Sequence, residues 1–134
     1  MQDYRKLLVW EKAHQYVLAI YGLTSKFPDA ERYGLTSQIK RAVVSIPANI
    51  AEGCGRETTA ELKRFLYIAM GSGSEVDYYL LLAHDLKWID AAEYQRLTSE
   101  LNGIRRMLNN FIQKLKTNNL EFYNGIWHYL QRRY

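Results

Sequence analysis

At 134 residues, 48% apolar and 24% charged, the chain has the size and composition of one globular domain with a hydrophobic core, which excludes a disordered or fibrous chain. A formal charge of +4 and a pI near 9.2 admit an acidic partner such as RNA or DNA without requiring one. The single cysteine, Cys54, excludes an intrachain disulfide, and neither a signal-peptide pattern nor an uncharged apolar run of spanning length is present, so the expectation is a soluble cytoplasmic protein with no membrane partner.

Four helical segments follow in order, and no strand is expected. In the first, Trp10, Ala13, Val17, Ile20, Tyr21 and Thr24 keep helical spacing until Phe27-Pro28-Asp29 ends the run. The second runs from about Leu35 to Glu52. Its apolar face, Leu35, Ile39, Ala42, Val43, Ile46 and Ile50, passes through Pro47, which predicts a continuous helix with a kink. Gly53-Cys54-Gly55 then offers glycines for a left-handed terminus.

Thr58 with Glu61 forms a capping box that opens the third helix. Its core face reads Leu62, Phe65, Leu66, Ala69, Gly73, Val76, Leu80 and Ala83. Asp90 with Glu93 repeats the cap for the fourth, where Tyr94, Leu97, Leu101, Ile104, Leu108, Phe111 and Leu115 alternate steps of three and four. Short connections between long amphipathic helices favour antiparallel neighbours, so the predicted fold is all-α, an up-down-up-down four-helix bundle over residues 1–117. Residues 118–134 form an aromatic and basic C-terminal tail, where Phe122, Ile126, Tyr129 and Leu130 fit a short docked helix and Arg132-Arg133 beside aromatics also suit stacking on unpaired bases.

The third helix carries a second apolar or small stripe, Tyr67, Ile68, Gly71, Ser74, Tyr78 and Leu82, with Leu81 beside it. A bundle of four helices has no intrachain partner left for it, so another copy of the chain or the folded-back tail must cover it, and self-association is the favoured occupant. Val9, Tyr16 and Leu23, off the main stripe of the first helix, repeat the hint more weakly.

The run Ser45-Ile46-Pro47-Ala48-Asn49-Ile50-Ala51-Glu52-Gly53, followed by Arg56, Phe65, Ile68-Ala69, Gly71-Ser72 and Glu75, resembles the signature of the four-helix-bundle proteins encoded in 23S ribosomal RNA intervening sequences. The likeness covers roughly Tyr4 to Lys116. It implies a bacterial bundle that assembles into a homopentameric ring, with Ile46, Pro47, Asn49, Glu52 and Gly53 as structural signature residues; it does not imply an enzyme, and a non-enzymatic protein is expected. A similar bundle serves as the accessory variability protein of diversity-generating retroelements, which by resemblance implies nucleic acid and a reverse transcriptase or other nucleic-acid enzyme as partners.

No residue pattern competes with that reading as a catalytic one. His14, His84 and His128 lie far apart without metal spacing, so no metal or other cofactor is expected. Cys54 beside Arg56 reads as a small residue in a glycine turn, and Gly71-Ser72-Gly73-Ser74 lacks the nucleophile-elbow and phosphate-loop spacings. Asn49 and Glu52 read as partners of the carbonyl freed by Pro47, of a helix end or of Arg56. For phosphate neutralisation the candidates are Lys40, Arg41, Arg56, Lys63, Arg64, Arg105 and Arg106. Adjacent cations on a helix diverge by about 100°, so solvated or intersubunit charge is an equally good account until copies are combined, when five chains would carry about +20. No base-reading motif is present, so binding would be directed at the backbone and sensitive to salt. The alternative function is a protein-protein interaction scaffold that binds no nucleic acid.

Overall fold

The computed structural model describes residues 2–117 and residue 134. The four helices are α1 (Leu8–Thr24), α2 (Leu35–Cys54), α3 (Thr59–Asp85) and α4 (Ala91–Thr117), with single 3-10 turns at Tyr4–Lys6 and Asp29–Glu31; there is no strand among the described residues. Cross-helix pairs give the topology. Gly53 lies against Leu62 and Phe65, while Ser45 meets Ser72, so α2 and α3 run in opposite directions. Arg105 lies on Gly73 while His84 stacks on Tyr94, so α3 and α4 do too, and Tyr16 reaching Leu97 closes α4 onto α1. One end of the bundle therefore holds the start of α1, the α2–α3 connection and the end of α4; the other holds the two remaining connections.

Each helix owes its limits to local chemistry. The Thr58 side chain accepts from the Glu61 amide at 3.1 Å and Asp90 from the Glu93 amide at 2.8 Å, so both predicted caps satisfy donors that a helix start leaves free. At the end of α3 the Trp88 amide donates to the Ala83 carbonyl and the Lys87 amide to that of His84, both at 2.9 Å. This is a Schellman ending, with Lys87 at φ 65° in the position usually given to glycine. The expected glycine ending of α2 is corrected: no described glycine has positive φ, Gly55 sits at φ −82° and Gly53 lies inside the helix. Gly53 is needed for packing, because an added Cβ would stand 2.8 Å from Leu62 Cδ1 and 3.0 Å from Phe65 Cβ.

The core face expected for α3 is buried along its whole length, as is that of α4 from Leu97 to Leu115. The helix α2 continues through Pro47, itself buried. On α1 the predicted face keeps Ala13, Ile20 and Thr24 but is turned away from the observed one. Val9, Ala13, Tyr16, Ile20, Leu23 and Thr24 are buried, whereas Trp10 and Val17 are half-buried and Tyr21 is exposed. Val9, Tyr16 and Leu23 are therefore not available for assembly, contrary to the weaker expectation above. Trp10 instead stacks on His14 at 5.1 Å and meets Tyr4 edge-on at 4.9 Å, holding the first 3-10 turn to the helix. The proposed tail helix lies outside the described residues; of that segment only Tyr134 is described, with its carbonyl accepting from the Val9 amide and its ring 5.7 Å from Phe111.

Candidate assembly face and nucleic-acid interface

Because α3 buries one face against α2 and α4, its opposite face points outward. Tyr67 is 49%, Ile68 41%, Tyr78 57% and Leu81 42% exposed. Gly71 and Ser74 lie exposed between the tyrosines, and nothing stands within 4 Å of where a Gly71 side chain would begin. Steps of four, three and four from Tyr67 to Tyr78 make this one continuous ridge of large side chains flanking a small-residue saddle. Leu82 belongs to it less than expected, being half-buried against the protomer's own core. Ser74 is already engaged, accepting from Arg105 Nη2 at 3.1 Å.

The signature residues occupy structural positions. Asn49 Nδ2 donates to both the carbonyl and the hydroxyl of Ser45 at 2.8 Å, and Ser72 donates to the same hydroxyl at 2.8 Å. A three-residue polar clasp thus joins α2 to α3, at Ser45 rather than at the carbonyl that Pro47 leaves free. Glu52 turns outward to Arg56 at 2.6 Å. A hollow of about 410 Å3 there is lined by Ala48, Ala51, Glu52, Gly55 and Arg56, so Asn49 and Glu52 do not converge on one space. The Cys54 thiol is buried and pushed up to about 12, first by that burial and then by Asp3, which removes its nucleophilic form near neutral pH. Among the described residues no cluster of His, Cys, Asp or Glu could hold a metal ion, and no helix is long and apolar enough to cross a membrane.

The candidate cations separate into distinct groups. Arg56 and Arg64 converge on one ring, their guanidinium carbons 5.0 and 4.7 Å from the Phe65 centroid, and Lys63 is adjacent. Lys40 sits over Tyr21 at 4.8 Å and Arg41 donates to Gln38 at 2.6 Å, both in the first half of α2. Arg105 lays its stem on Gly73, with Cγ 3.3 Å from where a Cβ would stand, so it latches α4 to α3. Arg106 lines a different region, an open groove of about 690 Å3 between α1 and α4 shared with Leu8, Lys12, Tyr16, Glu100 and Met107.

Three cations missed at the sequence level, Lys6, Lys114 and Lys116, lie at the same end of the bundle as Arg56, Lys63 and Arg64. Only the antiparallel order of the helices brings them there, so topology was the signal that could have found them. Divided at the middles of the described helices, after residues 16, 44, 72 and 104, the bundle has ten Lys and Arg against five Asp and Glu at this end. The far end has six against eight. The small net charge of the chain therefore conceals a bundle that is basic at one end and acidic at the other.

An antiparallel all-α bundle with an outward apolar ridge defines the class of fold, and comparison places it further. Residues 5–110 match the family model for the 23S rRNA-intervening sequence protein, and the chain belongs to that family. Its fold is similar to the crystal structure of a protein with unknown function from the S23 ribosomal protein family of Bacteroides thetaiotaomicron VPI-5482. The TM-score is 0.74 at 24% identity, covering 78% of this chain and 98% of that one. No curated protein matches the chain.

Proposed function

We propose that this chain is a non-enzymatic building block that assembles with copies of itself through the outward ridge of α3, and that the assembly engages RNA or DNA as a cytoplasmic accessory to a larger nucleic-acid enzyme, of which a reverse transcriptase is one kind. The observation that carries the assembly reading is the ridge: four large apolar side chains, Tyr67, Ile68, Tyr78 and Leu81, are each more than 40% exposed on one helix. Apolar surface costs about 25 cal/mol per Å2 to leave in water, and a contiguous strip is a stronger sign of a partner than scattered exposed residues. The saddle at Gly71 gives a second backbone room to approach. A ring of five is what the family resemblance supports for the subunit number.

Nucleic-acid engagement draws support from the uneven charge of the bundle rather than from its net value. The competing reading, a scaffold for proteins alone, is favoured by the engagement of Arg56, Arg64 and Arg105 with groups of their own chain. A binding titration against RNA, single-stranded DNA and duplex DNA separates the two. The nucleic-acid reading expects binding at low salt that weakens linearly in the logarithm of salt concentration, whereas no binding to any of the three at low salt leaves the scaffold. For the assembly itself, Tyr67→Ser with Tyr78→Ser is expected to reduce the particle mass at unchanged helicity, and an unaltered mass would reject the ridge.

A further inference from the structure

We propose that the sugar-phosphate backbone of the nucleic acid docks on the end of the bundle made by the Tyr4–Lys6 turn, the α2–α3 connection and the last turns of α4, and not along its flank; this rests on the nucleic-acid reading above. The carboxylates at this end fall five short of its cations. Asp3, Glu52 and Glu61 pair with Arg5, Arg56 and Arg64, Lys116 lies 5.6 Å over the Tyr67 ring, and Lys6 and Lys63 have no carboxylate partner among the described residues. Phe65 beneath both guanidinium groups holds Arg56 and Arg64 in place, so less side-chain freedom is lost when a phosphate meets them.

Distance protects this patch from the acidic end. A helix of 27 residues, as α3 and α4 are, is roughly 40 Å long, while charges are screened beyond about 8 Å at physiological salt. A phosphate at the basic end therefore feels the local surplus and not the small net charge of the chain. The flank is poorer ground. Glu75, Asp77 and Glu100 lie at the same level of the bundle as Lys40 and Arg105 and offset their charge, and Arg105 is held by Ser74. Self-assembly strengthens the effect, because copies related by rotation about one axis add the component of their charge asymmetry along that axis and cancel the rest.

The test uses the intact chain and labelled single-stranded RNA, single-stranded DNA and duplex DNA, each of about 20 units, titrated between about 25 and 300 mM salt. Lys6→Gln with Lys63→Gln and Arg64→Gln is expected to weaken binding at least tenfold near 100 mM salt and to lower the salt slope by about two. Lys40→Gln with Arg41→Gln and Arg106→Gln is expected to change it less than threefold. Lys63→Arg with Arg64→Lys retains binding, and amide exchange on the unaltered complex slows at Lys6 and across Arg56 to Arg64, which keeps the test independent of how well any variant folds. If the unaltered chain binds none of the three probes, the nucleic-acid reading fails and this one with it. If the chain binds but the flank variant loses as much as the end variant, or the end variant loses nothing, the docking surface alone is wrong.

Discussion

Three single residues carry costs that the structure makes measurable. Gly53→Ala gains helix propensity of about 1 kcal/mol but drives a Cβ to 2.8 Å from Leu62 and 3.0 Å from Phe65, an overpacking that costs about 1–3 kcal/mol; net destabilisation is expected in urea unfolding. Gly22→Ala is the control, with nothing within 4 Å of its Cβ position, and is expected to stabilise by about 0.5–1 kcal/mol. Lys87 holds φ 65° without being glycine, at a strain of about 1–2 kcal/mol. Part of the gain on removing it is lost to the greater freedom of glycine in the unfolded chain, so Lys87→Gly is expected to raise stability by about 0.5–1 kcal/mol. The Cys54 thiol keeps its proton in the fold up to about 12, against 9.0 when unburied. A raised folded pKa means that the stabilisation is complete below pH 9 and lost as pH rises toward 12. Thiol labelling near pH 8 is therefore expected to await unfolding, and rapid labelling of the native chain would contradict the burial.

At the scale of elements, what the sequence disclosed depended on how many faces of a helix are apolar. On α4 and on the buried side of α3, one face alone repeats at steps of three and four, and every residue from Leu62 to Ala83 on the expected face is buried. The caps at Thr58 and Asp90 were equally legible, since each needs only a side chain three residues from an amide. Helix α1 is apolar on two overlapping faces that share Ala13 and Ile20 and are centred about 60° apart. Which of them turns inward is decided by α4, where Leu97 offers its carbonyl to the Tyr16 hydroxyl at 2.9 Å, and no local pattern encodes that partner. Burial pushes the Tyr16 hydroxyl far above the usual tyrosine range, with Glu100 and Asp77 adding to it. Tyr16→Phe is expected to cost about 1 kcal/mol through the lost hydrogen bond, read as a lower urea midpoint at unchanged slope. Arg105 was hidden for the same reason: as a charge pair with Arg106 it suggested phosphate, whereas Gly73 and Ser74, on another helix, make it a latch.

For the whole molecule the exposed ridge of α3 was readable, because a helix with more apolar circumference than its companions can cover announces the excess in sequence. The charge asymmetry was not, since ten of the cations are spread along the chain from the first 3-10 turn to the end of α4 and meet only because the helices alternate in direction. These two features have one consequence in common. A chain that shields its α3 ridge with rotated copies of itself also gathers its basic ends at one rim, so assembly and polyanion affinity are expected to rise and fall together, and dissociating the assembly by Tyr78→Ser should weaken nucleic-acid binding although no cation has been removed. Retained affinity in a fully dissociated variant would uncouple them. The most direct test of the ridge is the particle mass of the unaltered chain by light scattering over a wide concentration range. The expected result is a stable multiple of the 15.8 kDa chain, five by family resemblance, and a constant mass of one chain at the highest concentration would contradict it.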